Sequence, residues 1–364
     1  MKKHAAQLLV LTLILAAALF ARAAAPARPL NIYWVDTEGG ASTLIVTPTG
    51  ESILVDTGNP SSPNAQDSSA LRVQKAAVAE GVSKIDYMIM THFHMDHFGG
   101  AAELAKLMPV GQMLDNGIPD HDSDSVASHD AQFAREITPY RTFKADSRAI
   151  MQLGQVIPVK QSSAAAALSL QCVAARKQVF ALGAGVTNGI NPDATQRAAD
   201  GTDNANSIVM LLKLGPFKFF LGADLTWNTE GKLVCPVDYI GTVDVMAVDH
   251  HGLNQSSNPL LVRSLNPTVS VMSNGPRKGP DPETLATLRS VPSIQTMWQT
   301  HLNLRGATNY NTDTNYIANL PANCVGNCIK CSVDPSGKSY TVSIPATGVS
   351  KTYATVLNRN PNNQ

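Results

Sequence analysis

The decapeptide Thr91–Gly100, THFHMDHFGG, constrains this chain more than any other stretch. It follows an apolar run, Ile85–Met90, that reads as a buried strand, and it leads into Gly100–Met108, which reads as a helix. Along extended backbone alternate residues share a face, so His92, His94 and Asp96 point the same way. His97 lies where the chain turns into the helix and approaches from another direction. Three imidazoles and a carboxylate within six residues form a borderline-soft donor set, suited to Zn²⁺ and tolerant of Mn²⁺ or Fe²⁺. Gly99 and Gly100 let the start of the helix pass close to the cluster.

The elements around this segment predict a mixed α/β chain. Asn31–Asp36 and Ser42–Thr47 are apolar runs separated by Glu38-Gly39-Gly40, a hairpin signal, and Glu51–Asp56 is a third strand. Ala70–Glu80 has helical spacing and is stopped by Gly81. Gln112–Ser147 is polar and reads as an insertion over the sheet edge, with His121 and His129 in solvent. Gly154–Val159 and Ala167–Ala174 read as strands. Gly183–Asn206, rich in Gly, Asn and Asp, is a long loop of the kind that is functional or disordered.

The second half repeats the theme. Ser207–Leu214 and Phe217–Gly222 are strands around Gly215-Pro216, Leu225–Val234 is a helix, and Val243–Val248 is a buried strand ending at Asp249-His250-His251-Gly252. Asn258–Leu265 and Pro282–Ser290 read as helices around a strand at Thr268–Met272. Ile329–Val333 and Ser339–Ile344 flank a turn at Asp334-Pro335-Ser336-Gly337. This doubled β-then-βα pattern predicts a sandwich of two sheets covered by helices. It forms one domain from about residue 24 to 364, with a short C-terminal β extension.

Composition allows such a core, since 44% of the 364 residues are hydrophobic. The first 23 residues stand apart. Lys2 and Lys3 precede an apolar run, Ala5–Phe20, and Ala21-Arg22-Ala23 has the small-residue pattern of a signal-peptidase site. The run is shorter than the ~20 residues a spanning helix needs. Residues 1–23 therefore read as a signal peptide, which predicts a periplasmic or secreted protein with no membrane anchor after cleavage. Without Lys2, Lys3 and Arg22 the chain has 25 basic against 28 acidic residues, a net charge of −3. That balance lacks the basic excess of proteins that grip long nucleic acid. Cys324, Cys328 and Cys331 lack a nearby fourth ligand for structural zinc, and export predicts a disulfide plus a free thiol among the five cysteines.

THFHMDHFGG resembles the signature of the metallo-β-lactamase superfamily, and other segments fit that family's order. Leu54-Val55-Asp56-Thr57-Gly58 is similar to its first motif, whose Asp supports the metal loop; here that is Asp56. Leu221-Gly222-Ala223-Asp224 is similar to the strand end whose Asp bridges two metals, and His250-His251-Gly252 to the closing histidine motif. The resemblance covers roughly Asn31 to Gln299. It implies a four-layer αββα sandwich and two divalent ions, Zn²⁺ before Mn²⁺ or Fe²⁺. It implies the ligands His92, His94, Asp96, His97, Asp224 and one of His250 or His251. Asp96 would also orient or deprotonate the attacking water. Within the superfamily the chain is most similar to the extracytoplasmic nuclease-like domain of DNA-uptake competence proteins, which also carry an Asn-x-x-Ser-like run, here Asn204-Ala205-Asn206-Ser207.

Two departures shape the functional reading. The competence domains have a Gly-His-Pro stretch where this chain has Arg277-Lys278-Gly279-Pro280-Asp281-Pro282. Most two-zinc members also supply a further histidine before the bridging Asp, and this chain has none between His129 and His250. One position then keeps His92, His94 and Asp224, with water or Asn206 in the gap, and should hold its ion less tightly than the Asp96/His97/Asp224 position. This argues against a typical β-lactamase or glyoxalase. It favours hydrolysis of a phosphodiester or other anionic substrate, small or oligomeric, over ester, lactone or β-lactam hydrolysis, while the intact His92–His97 cluster argues against a non-catalytic binding role. Lys278 would neutralise such an anion, and His301, at the end of an apolar strand, would either reach the pocket rim or serve as a structural histidine.

Overall fold

The computed structural model describes residues 27–61, 67–183, 185–188, 196–306, 308–321 and 326–357. The expected signal peptide lies outside them. So does Cys324. Strand β1 (Leu30–Trp34) is buried at all five positions because both its faces are covered. Leu30, Ile32 and Trp34 enter one apolar core and Tyr33 another, which is the alternation of a strand applied to a doubly buried sheet.

The first part of the chain adds β2 (Thr43–Val46), β3 (Ser52–Val55), helix α1 (Ser69–Ala79), β4 (Ile85–Ile89), α2 (Met95–Phe98), α3 (Ala101–Leu107), β5 (Val110–Asp115), α4 (Asp130–Thr142) and β6 (Ser147–Ile150). The middle adds β7 (Leu168–Ala175), β8 (Gln178–Val179), β9 (Val186–Thr187), β10 (Val209–Leu214), β11 (Phe217–Leu221), α5 (Trp227–Val234), β12 (Val237–Asp238), β13 (Val245–Ala247), α6 (Pro259–Leu265), β14 (Val269–Met272), α7 (Pro282–Arg289), β15 (Thr296–His301) and β16 (Ile317–Asn319). The end adds β17 (Ile329–Val333), β18 (Ser339–Ile344) and β19 (Val349–Ala354).

One sheet has the order β19-β18-β17-β1-β2-β3-β4-β5-β6 and the other β16-β15-β14-β13-β11-β10-β7-β8, while β9 and β12 pair as a small ribbon. The two large sheets face each other across the inter-sheet core, where Trp34 meets Phe219 edge-on with ring centroids 5.4 Å apart. The outer face of the first sheet is covered by α1, α3 and α4, through Val73, Leu104 and Phe133. That of the second is covered by α5, α6 and α7, through Leu233, Leu261 and Leu285. These are the four layers of an αββα sandwich.

One region differs from the reading of the sequence. Gln112–Ser147 is not a polar insertion: it holds most of β5, the whole of α4 and the start of β6. Gly111 and Gln112 interrupt the apolar pattern of β5, and α4 shows only Phe133, Ile137 and Tyr140 as a thin stripe on a polar helix. The C-terminal strands extend the first sheet, β17 pairing with β1 in register Ile32↔Cys331. Cys172, Cys328 and Cys331 are thiols rather than disulfide partners. Burial pushes the Cys172 thiol up to about 12. Among the described residues no helix is long and apolar enough to cross a membrane.

Candidate metal centre

Strands β3 and β4 are parallel neighbours, so their carboxyl ends open on the same edge of the sandwich. The first delivers Asp56, the second the run Thr91–His97. Asp56 adopts a left-handed turn conformation, φ 60°, that aims its carboxylate sideways at that run. It accepts hydrogen bonds from the backbone N–H of Thr91 at 2.9 Å, from the Thr91 hydroxyl at 2.8 Å and from His97 Nδ1 at 2.7 Å. The following turn is packed too tightly for side chains. A Cβ on Gly40 would lie 2.4 Å from the Asp96 carbonyl, and one on Gly100 would lie 2.4 Å from that of Thr57.

The second sheet supplies the rest from the ends of two further parallel neighbours, β11 and β13. After β11 the chain turns through Ala223, φ 54°, to present Asp224. After β13 it turns through His250 and His251, with φ of 53° and 56°. Asp224 Oδ2 then lies 3.2 Å from His97 Nε2 and 3.3 Å from His251 Nε2, and Asp96 Oδ2 lies 3.1 Å from His251 Nε2. Potential donor atoms of Asp96, His97, Asp224 and His251 all fall within 4.8 Å of one another. His250 Nε2 stands 3.6 Å from Asp224 Oδ2, and the His92 ring centroid is 4.1 Å from that of His97.

Each ring nitrogen that faces away from the centre has a partner that fixes the tautomer. His251 Nδ1 donates to the Ser273 carbonyl at 2.7 Å and His97 Nδ1 to Asp56. The Thr91 hydroxyl spends its hydrogen on Asp56, so at 3.1 Å it accepts from His92 Nδ1. Nε2 of His92, His97 and His251 is left buried with no hydrogen-bond partner. Leaving a buried polar atom unpaired costs about 1–3 kcal/mol, so three converging on two carboxylates form a site that a divalent cation would satisfy.

The electrostatics agree. Burial disfavours the charged form of His97, but Asp224, Asp56 and Asp96 outweigh it and hold its pKa well above the usual imidazole range. Burial lowers His92, and His97 and His94 add to that shift. Burial would raise Asp224, but His251, His97 and His250 hold it well below the usual carboxylate range. A proton on His97 and a cation among these carboxylates compete for the same negative charge, so metal affinity falls as pH falls.

Residues 35–153 match the family described as the metallo-beta-lactamase superfamily. That match spans about a third of the 364-residue chain. A metal-dependent hydrolase of Koribacter versatilis (strain Ellin345) is 38% identical over 80 residues, which is 21% of this chain and 28% of that protein's length. The solved structure of CmlA, a diiron β-hydroxylase from Streptomyces venezuelae, aligns with a TM-score of 0.38 and 13% identity over 75% of this chain and 48% of that one. A diphosphatase of the PhnP family aligns with a TM-score of 0.33 and 14% identity over 79% and 83% of the two chains.

The structure sorts the residues singled out in the sequence. His92, Asp96, His97, Asp224 and His251 converge, with Asp56 behind His97. Of the two closing histidines, His251 joins the four-residue cluster. Lys278 reaches the centre, its Nζ in contact with Asp96 Oδ2. His94 turns Nε2 to Asp124 Oδ1 at 2.9 Å, which leaves Nδ1 as its other donor.

Two expectations fail. His301 is fully buried with Nε2 3.1 Å from Asp36 Oδ2, beneath the β1–β2 loop rather than at a rim, because β14 and β16 flank its strand. Asn206 does not fill the gap beside His92 and His94: its side-chain amide donates to Asp203 Oδ1 at 2.9 Å. The sequence reading also missed Asp124 and Ser273. Asp124 sits in a polar loop and Ser273 acts through its carbonyl, so neither leaves a motif.

Gly279 offers a mechanical test of this arrangement. Its φ is 55°, and a Cβ there would lie 1.8 Å from the His251 carbonyl oxygen. Gly279→Ala is expected to displace His251 and weaken metal binding about 10–100-fold, the range for disturbed ligand supports. Chelator titration checks this; wild-type affinity would show that the loop yields instead.

Proposed function

We propose that the chain is an exported metal-dependent hydrolase acting on a phosphodiester or related anionic substrate. Asp96, His97, Asp224 and His251 would hold one ion, and His92, His94 and Asp224 would contribute to a second. Such ions, Zn²⁺ before Mn²⁺ or Fe²⁺, supply Lewis-acid polarisation of the scissile bond and a water that is nucleophilic near neutral pH. The protein then needs no serine or cysteine nucleophile. Asp96 orients the attacking water and draws its proton, and Asp224 and Asp56 keep the imidazoles in place. Lys278 binds and neutralises the substrate anion.

The observation that carries this reading is the Lys278 ammonium against Asp96 at the edge of the cluster. Only Asp96 and Asp224 bring negative charge to the ligand set, so with two divalent cations bound the centre is net positive and selects an anion.

The test is a panel of phosphodiester, lactone and β-lactam substrates with and without chelator. Phosphodiester hydrolysis is expected, abolished by chelator and restored by metal. Lys278→Ala should reduce it about 10–100-fold, the worth of a charge-assisted hydrogen bond, with little effect on neutral esters. Turnover of lactones or β-lactams alone would overturn the substrate class. Mass spectrometry of the exported protein should give an N-terminus near Ala24, and a full-length cytoplasmic product would overturn export.

A further inference from the structure

We infer that Asn204 supplies, through its side-chain amide oxygen, the fourth protein donor of the metal position formed by His92, His94 and Asp224, where two-zinc relatives use a histidine. The inference rests on the metal-dependent reading above and concerns only how its second ion is held.

Three observations bring Asn204 to that place. The turn Asp203–Asn206 is tied directly to the histidine loop: Asp203 Oδ2 accepts from the Phe93 N–H at 2.6 Å, and the Ile208 N–H donates to the Thr91 carbonyl at 3.0 Å. Asp124 Oδ1 links the two segments again, because it takes the Asp203 N–H at 2.8 Å and His94 Nε2 at 2.9 Å. Asn204 is therefore next in the chain to a residue bonded directly to the loop that carries His92 and His94.

The amide is also oriented. Ser256 spends its hydroxyl hydrogen on the Leu225 carbonyl at 2.7 Å, so at 3.3 Å its oxygen accepts from His250 Nδ1. His250 Nε2 is then an acceptor and faces Asn204 Nδ2 at 3.5 Å. With Nδ2 turned to His250, Oδ1 is the free end of the amide, and it is buried with no hydrogen-bond partner. Asn204 is only 8% exposed, so water does not readily serve it. This gives the adjacent histidines separate tasks: His251 belongs to the first ion's cluster and His250 orients the ligand of the second.

A neutral amide oxygen is a harder and weaker donor than imidazole, so this position should tolerate Mn²⁺ and release its ion first. Chelator competition on the full-length protein, together with the visible spectrum of the Co²⁺-loaded form, tests this without reference to activity. Wild type is expected to lose its ions in two steps. Asn204→Ala should weaken only the more labile step, by at least about tenfold. Asn204→His should tighten that step for Zn²⁺ and alter the Co²⁺ bands as nitrogen replaces oxygen. Asn204→Asp keeps the shape if the alanine variant folds poorly, and it should tighten Mn²⁺. Unchanged release from Asn204→Ala, or an unchanged Co²⁺ spectrum in Asn204→His, would overturn the inference. A wild-type protein that takes up one ion overturns it while leaving the hydrolase reading; one that takes up none overturns both.

Discussion

Asp224→Ala is expected to leave the protein without either ion and to reduce hydrolysis by about 10³-fold or more, since metal-supplied stabilisation amounts to several kcal/mol. The reason is geometric. Asp224 Oδ2 lies 3.2, 3.3 and 3.6 Å from Nε2 of His97, His251 and His250, so one carboxylate holds together groups from both sheets. It is buried, and burial would raise its pKa, yet the surrounding imidazoles keep it ionised. Without it, Asp96 would be the one charged donor left to a cation, with no shared anion between the two positions. Elemental analysis of the purified variant checks the expectation, and circular dichroism establishes that the sandwich persists. Asp224→Asn is the sharper control, because it keeps the volume and loses the charge. Two ions retained by either variant would remove Asp224 from the ligand set.

Much of this centre was legible because its information is local. His92, Asp96 and His97 lie within six residues, on a strand end whose burial and length were plain. The choice between His250 and His251 was not legible, and the reason is backbone conformation. Alternation would send the two rings to opposite faces had the strand continued, but β13 ends at Ala247 and both histidines are left-handed. The turn is held from below. Asp249 is fully buried beside Glu230, burial and that carboxylate raise its pKa well above the usual range, and a Cβ on Gly222 would lie 2.1 Å from Asp249 Oδ1. These contacts join residues far apart in sequence and leave no periodic trace.

The same distinction explains the errors. Asn206 and Asn204 share one short run, and nothing in their spacing says which amide faces the histidines. That depends on Asp203, which donates its N–H to Asp124 and accepts from Phe93 and from Asn206. His301 ended an apolar strand and so suggested a rim. Strand order decided otherwise, since β14 and β16 flank its strand and it is buried against Asp36. In the fold, the hidden helix α4 shows the limit of periodicity. Three buried residues on thirteen make too narrow a stripe to stand out, yet Phe133, Ile137 and Tyr140 suffice to cover β5.

Asp56→Ala should affect stability and metal binding together, although Asp56 touches no metal position. Its carboxylate is the shared acceptor for the Thr91 N–H, the Thr91 hydroxyl and His97 Nδ1. Removing it strands buried donors, at a cost of about 3–5 kcal/mol as for one partner of a buried ionic pair. It also frees the Thr91 hydroxyl that orients His92, so both metal positions should weaken, by about 10–100-fold. Asp56→Asn separates the two effects. The amide keeps the volume and one acceptor, so the loss of stability should be smaller. Its NH₂ group, turned toward His97, would make Nδ1 the acceptor and place the ring proton on Nε2, directed at Asp224. A histidine in that tautomer cannot bind a cation through Nε2, so the asparagine variant should lose metal affinity while remaining folded. Thermal unfolding with parallel chelator titration distinguishes the outcomes. Wild-type affinity for both ions in Asp56→Asn would show that His97 does not depend on Asp56 for its tautomer.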